Sequence, residues 1–326
     1  MNSLKRVAFL CCGALSIAFG SACAYAQPYP TKPIRIITPF APGGGTDAIV
    51  RILGERLSQS LGQSIIVDNR PGAYTVVGAV AAAKSPPDGY TLFYSLDSTM
   101  TLNQFMFSKL PYDSTRDFDP ISLISVYAML IATGPKLSVK SLPELISYGK
   151  ANPGKLSYGT GSTIAMLAGE LLKSVTGTDM VNIPFKGSAP AIQALLGGII
   201  DFAVTDYGAY LPQHGKGRLN ALGSTGSERS NSLPEVPTIK ELGYPSYEVT
   251  GWSALYAPAG TPSPIIERLN LEVRRITSQS EYVKRIQAVT GGAADSSPAQ
   301  LAAKQRADIA KWDALIKSTG INLLVE

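Results

Sequence analysis

The chain has 326 residues, 45% of them hydrophobic, with 29 Lys and Arg against 24 Asp and Glu, a net charge of +5 and one histidine. That length is enough for two domains with sizeable cores. A charge this mild, with no dense basic run, argues against a nucleic-acid binder. With His214 as the only histidine, most metal-site and charge-relay chemistry is removed at the outset, so no metal, cofactor or catalytic residue is expected.

In chain order, the first segment reads as a leader. Lys5 and Arg6 precede an apolar run over residues 7–20, and Ala24-Tyr25-Ala26 forms a small-x-small cleavage site. This is the order of a secretory signal peptide over residues 1–26, with an apolar run too short for a membrane span. A lipid-anchored reading through Cys23 lacks the large aliphatic residue such a signal usually has at position 20, which is Gly20. Cys11, Cys12 and Cys23 all lie in this leader, so the mature chain carries no disulfide and no thiolate site. Removal of Lys5 and Arg6 leaves a net charge of +3 (5 − 2).

Short apolar strands then alternate with amphipathic helices. A strand is predicted over 34–39 and a helix over 46–61, with Ile49, Ile52, Leu53, Leu57 and Leu61 on one face and Arg51, Glu55 and Gln59 on the other. Gly62 is placed to end it. Further strands are predicted over 64–67 and 90–94, with a helix over 76–84. The rhythm resumes with strands at 156–158, 181–184 and 202–204, and helices after Thr163 and over 189–196. A surface loop is read over 227–237, and helices over 263–276, 281–287 and 298–318. The alternation predicts an α/β fold with parallel sheets covered on both faces. Two long extended segments, 120–133 and 247–258, interrupt it. They read as crossovers between two lobes, the first at 27–127 and 255–326, the second at 128–254.

Three glycine-containing turns run from a strand end into a helix. Pro42-Gly43-Gly44-Gly45-Thr46-Asp47 offers close backbone approach and the unpaired N–H groups of a helix start, which suit an anion. The same residues also fit a tight turn capped by Thr46 or Asp47, and neither G-x-G-x-x-G nor a following Gly-Lys-Ser/Thr is present. Gly159-Thr160-Gly161-Ser162-Thr163 adds hydroxyls that either hold a carboxylate or cap the helix. Phe185-Lys186-Gly187-Ser188-Ala189-Pro190 adds a cation and a proline suited to a helix start. Asp206 either faces a cleft or caps the turn after it. Helix starts at the carboxyl ends of strands are where open α/β sheets bind ligands. Each such dipole contributes about 0.3–2 kcal/mol, against about 8 kcal/mol for micromolar binding, so direct hydrogen bonds and closure must provide the rest.

Beyond these turns, Tyr29-Pro30-Thr31-Lys32-Pro33-Ile34-Arg35, Asn69-Arg70-Pro71-Gly72-Ala73, Pro87-Asp88-Gly89-Tyr90-Thr91-Leu92, Leu110-Pro111-Tyr112-Asp113, Ala168-Gly169-Glu170-Leu171 and Pro234-Glu235-Val236-Pro237-Thr238 recur over nearly the whole mature chain. With them the sequence resembles the Bug family, the substrate-binding proteins of tripartite tricarboxylate transporters. The resemblance implies a periplasmic binding protein of type II-like fold, two βα lobes closing a cleft on a small organic acid. It implies a monomer in the periplasm, without enzymatic activity, that hands its ligand to a membrane permease of one large and one small subunit. Some members of the family serve sensor kinases instead.

The expected ligand contacts are Gly43, Gly44, Thr46, Asp47, Tyr74, Thr75, Asp97 and Ser98 from the first lobe. Gly161, Ser162, Thr163, Lys186, Gly187, Ser188 and Asp206 are expected from the second. Many relatives carry glycines where this chain has Tyr74-Thr75, histidines where it has Met100 and Met166, and a small polar residue at Asp97. Tyr74 favours an aromatic dicarboxylate such as terephthalate over citrate; Asp97 suits an ammonium or amide group, or points away from the cleft. The reading from another class is a secreted α/β hydrolase through His214, but no G-x-S-x-G or H-E-x-x-H motif accompanies it.

Overall fold

Strand β1 (Ile34–Thr38) forms because β-branched residues alternate and run together in a segment buried from both sides: Ile34, Ile36 and Ile37 are fully inaccessible. Parallel to it lie β2 (Ile65–Asn69) and β3 (Thr91–Leu96). Helices α1 (Gly45–Leu61) and α2 (Val76–Ala83) make the crossovers. A second parallel set contains β5 (Leu156–Thr160), β6 (Met180–Pro184) and β7 (Phe202–Asp206), joined by α5 (Thr163–Thr176) and α6 (Ser188–Leu196). The computed structural model describes residues 29–324, except 44, 186, 215, 216 and 291. Lys32 onward is one compact unit, and the leader expected at 1–26 lies outside the described residues.

The two sets are joined by the long extended segments. Strand β4 (Phe118–Thr133) pairs antiparallel with β9 (Thr250–Pro258) from Phe118 to Ala128, then with β7 from Met129 to Thr133. Its last four residues also pair with β8 (Asn220–Ser224). The sheet order is therefore β2-β1-β3-β9-β4-β7-β5-β6, and β4 changes partners between Ala128 and Met129. Register shifts after Pro120 and Leu123 bend β4 before it reaches that point.

Between β3 and β4 runs a tight helical stretch, a π-type turn (Ser98–Leu102) followed by α3 (Asn103–Met106). The remaining helices are α4 (Leu142–Ala151), α7 (Tyr207–His214), α8 (Ser263–Thr277), α9 (Ser280–Thr290) and α10 (Pro298–Thr319). Helix α10 begins with a reciprocal capping box between Ser297 and Gln300. It serves two cores. Leu301 packs with Phe93, Phe118, Trp252 and Tyr256, while Trp312 and Leu315 join Leu145, Tyr158, Leu167 and Tyr247.

Candidate functional site

The turn after β1 is built around Asp47, whose side chain is buried in the first turn of α1. One carboxylate oxygen accepts the Gly43 N–H at 3.0 Å and Arg51 Nε at 2.8 Å, and the other accepts Asn69 Nδ2 at 2.9 Å. Asn69 also donates to the Phe40 carbonyl, closing the turn against β2. The Arg51 bond, with smaller help from Gly43 and Asn69, holds the Asp47 carboxyl down to about 2. The carboxylate is thus committed to the turn itself, and Gly43, at φ +87°, supplies the left-handed backbone the turn requires. Gly44 lies outside the described residues, and Thr46 is half-buried at the helix start. Asp47→Ala is expected to lower unfolding free energy by about 2–4 kcal/mol, because it strands Arg51 and two backbone-organising donors. Urea unfolding at pH 7 measures it; a change below about 0.5 kcal/mol contradicts this account.

The second turn is unusual. Ala73, Tyr74 and Thr75 all have positive φ (45°, 50° and 78°), following Gly72 at 134°. Left-handed backbone costs roughly 1–2 kcal/mol for each residue with a side chain. Tyr74 and Thr75 therefore stand where the backbone asks for glycine. Asn103 Nδ2 lies 3.0 Å from the Tyr74 carbonyl and 3.2 Å from Thr75 Oγ1, and Thr99 Oγ1 donates to Thr75 Oγ1 at 2.8 Å. The Tyr74 side chain is 59% exposed and meets Phe107 edge-on, with ring centroids 6.2 Å apart.

Asp97 directly follows β3 and is 2% exposed. Its Oδ1 accepts the Tyr127 hydroxyl at 3.2 Å, while Oδ2 has no partner of hydrogen-bond geometry among the described residues. Burial, reinforced by the charge of Asp308, pushes its carboxyl up to about 7; the Tyr127 hydroxyl and the nearby N–H groups of Trp252 and Ser98 pull in the other direction. Tyr127 stands on β4 one residue before that strand changes partners, and Ser98, half-buried, opens the π-type turn beside it.

On the other parallel set, the end of β5 touches the start of α6. A Cβ placed on Gly161 would lie 2.2 Å from the carbonyl carbon of Gly187 and from the Ser188 nitrogen. The loops carrying Gly161, Gly187 and Ser188 therefore form one continuous backbone surface. Ser162 caps α5 by accepting the Ala165 N–H at 3.3 Å, and Thr163 Oγ1 contacts Met106 Sδ at 4.0 Å. Asp206 Oδ1 accepts the Ala209 N–H at 2.8 Å, so it caps α7. Lys186 lies outside the described residues.

Two links cross between the halves. Val289, near the end of α9, lies 3.5 Å from where a Gly45 side chain would begin and 3.8 Å, through its carbonyl, from that of Gly208. It ties the start of α1 to the start of α7. The Asn103–Met106 helix ties the Tyr74–Thr75 turn to the start of α5. The Asp97–Tyr127 pair joins the residue after β3 to β4. Asn103, Thr99, Tyr127 and Val289 were not expected from sequence. The polar tip of Tyr127 within a long apolar strand was the one available signal.

Hollows lie elsewhere on the surface. One of about 930 Å³ along α8 is lined by Glu267, Arg268, Arg274, Arg275 and Asp295, most of them in ion pairs at the surface. Another, of about 260 Å³, reaches Tyr127 and Tyr207 from the side of the 226–231 loop. His214 ends α7, where Nδ1 lies 3.2 Å from the Tyr210 hydroxyl and Nε2 3.5 Å from Glu235. Among the described residues no three His, Cys, Asp or Glu side chains cluster as metal ligands, and no helix is long and apolar enough to cross a membrane.

Comparison with known proteins places this architecture. A family model described as the tripartite tricarboxylate transporter family receptor matches residues 49–321. Protein BugT of Bordetella pertussis is 36% identical over 301 residues, covering 91% of this chain and 92% of that one. A Rhodopseudomonas palustris protein solved with adipate superposes with a TM-score of 0.79 at 31% identity, covering 91% of this chain and all of that one. MatC from the same organism, solved with bound malate, gives 0.73 at 30% identity, covering 88% of this chain and all of that one.

Proposed function

This chain belongs to the tripartite tricarboxylate transporter family of receptors, with the α/β fold of the periplasmic binding proteins, and on that premise we propose that it captures a small dicarboxylate in the periplasm for a tripartite permease. The observation that supports the reading is the pair of links between halves, one joining the start of α1 to the start of α7 through Val289, the other joining the Tyr74–Thr75 turn to the start of α5. Backbone N–H groups at helix starts suit carboxylates without requiring a salt bridge. Asp47, Ser162 and Asp206 act as organisers of those starts, since each spends its side chain on them. The lobes proposed are residues 27–127 with 255–326, and 128–254.

The adipate and malate held by similar proteins are both dicarboxylates. In this chain Tyr74 and Phe107 place aromatic surface at the Gly72–Thr75 turn, which favours a flat ring between the two acid groups. The ligand class proposed is therefore an aromatic dicarboxylate, with terephthalate as its representative. Saturation at 100 times Kd stabilises a native state by about 2.7 kcal/mol, a rise of about 5 °C for a chain of this size. Thermal-shift measurements with terephthalate, adipate, malate, citrate and nicotinamide test it. Terephthalate should give the largest rise; stabilisation by citrate alone overturns the aromatic reading, and no response to any acid overturns the capture reading. The hydrolase reading finds no support around His214, whose neighbours are Tyr210 and Glu235.

A further inference from the structure

The turn at Ala73–Thr75 holds three consecutive residues with side chains in left-handed backbone, and Thr75 is β-branched. Such a run persists only where its surroundings over-determine it. The surroundings here are one buried network. Asn103, 2% exposed, has its amide nitrogen 3.0 Å from the Tyr74 carbonyl, 3.2 Å from Thr75 Oγ1 and 3.0 Å from the Tyr112 hydroxyl. Tyr112 in turn donates to the Thr99 carbonyl at 2.6 Å, and the Thr99 hydroxyl donates to that of Thr75. A side-chain amide that replaces solvent for a strained carbonyl fixes both the backbone and the direction of the side chain it carries.

What it fixes is Tyr74. That ring is mostly exposed, its backbone carbonyl is held by Asn103, and its edge faces Phe107, which directly follows the helix bearing Asn103. The same helix reaches the start of α5 through Met106 and Thr163. Clamp, aromatic pair and helix start are therefore joined by direct contacts.

We infer that Asn103 is a positioning residue for ligand selectivity: by clamping the left-handed Ala73–Thr75 turn, it holds the Tyr74 ring against Phe107 as an aromatic wall that discriminates ring-bearing from linear dicarboxylates. This rests on the capture function proposed above. Asn103 touches the turn and not the ligand, so its removal acts on the ratio of affinities. Loss of a purely structural residue would lower affinity for all acids alike.

The test compares Asn103→Ala in two backgrounds, the native turn and the double variant Tyr74→Gly, Thr75→Gly, in which left-handed backbone is unstrained. Isothermal titration with terephthalate and adipate gives the selectivity ratio, and urea unfolding gives stability. In the native turn Asn103→Ala should lower the ratio at least tenfold while adipate affinity stays within about threefold. In the glycine background it should move the ratio less than twofold and cost less stability. If Asn103→Ala does not fold in the native turn, Thr99→Val, which removes only the bond to Thr75, carries the same comparison. An unmoved ratio, or equal losses for both acids, overturns the inference while leaving the capture function standing. Binding of neither acid by the native chain overturns both.

Discussion

Gly161→Ala is expected to cost about 3 kcal/mol or more of unfolding free energy and to abolish ligand capture. The added Cβ would stand 2.2 Å from the Gly187 carbonyl carbon and the Ser188 nitrogen, and 2.7 Å from the Gly187 oxygen. These are backbone atoms at the start of α6, and no rotamer change moves them aside. Either the end of β5 withdraws from its partners β6 and β7, or α6 shifts with Ile192, Ala194 and Leu195, which are packed into the core. Both responses separate two loops whose backbone forms one surface. Urea unfolding and calorimetric titration with dicarboxylates give the two readouts. Stability within about 0.5 kcal/mol of the native chain, with affinity unchanged, contradicts the close packing of these loops.

Much of this arrangement was legible because periodicity survives in sequence. The apolar run of β1 and the one-sided stripe of α1 follow directly from burial on two faces and on one. The extended segments at 120–133 and 247–258 correspond to β4 and β9, and their length reflects the two sets of partners that β4 must satisfy. Helix α4 carried a readable start, Ser141 before Leu142-Pro143-Glu144, yet was not anticipated; Ser141 does cap it, by accepting the Glu144 N–H. The last helix, expected over 298–318, spans Pro298–Thr319, although its apolar residues face one core through Leu301 and another through Trp312.

The candidate site was legible in its turns and not in what holds them. Sequence left Ser162 and Asp206 as either ligand contacts or caps, and both side chains cap. Asp47, expected to face the ligand, spends both carboxylate oxygens on its own turn and its neighbours. The left-handed backbone at Tyr74 and Thr75 runs against the preference of both residues, and only a tertiary clamp from Asn103, 28 positions beyond Thr75, accounts for it. Propensity describes a segment alone, and here the deciding partner is distant in sequence.

Asp97→Asn should raise stability by about 3 kcal/mol at pH 8 and lower it by no more than about 1 kcal/mol at pH 4. In the folded chain burial lifts the Asp97 carboxyl from its ordinary 3.8 to about 7. Between those values the folded state keeps a proton that the unfolded state has released, so stability falls as pH rises through that window and levels off above it. The separation is about three units, on the order of 4 kcal/mol. An unpaired amide nitrogen in the variant offsets about 1 kcal/mol of that gain. The groups around Asp97 fit this sign. Asp308 on α10 adds like charge, Lys311 on the same helix opposes it, and Tyr127 on β4 together with the N–H groups of Trp252 and Ser98 pulls only part of the way back. Asp47 works in the opposite direction, its stabilisation lost as pH falls through about 2, so its transition stays below the window. Urea unfolding of both proteins from pH 4 to 8 separates the two carboxyls. A variant equally destabilised across the range would mean that Asp97 is charged and paired in the folded chain. A difference that opens between pH 4 and 7 would mean that burial keeps Asp97 protonated in the folded chain through that window, beside Tyr127 on the strand that joins the two halves.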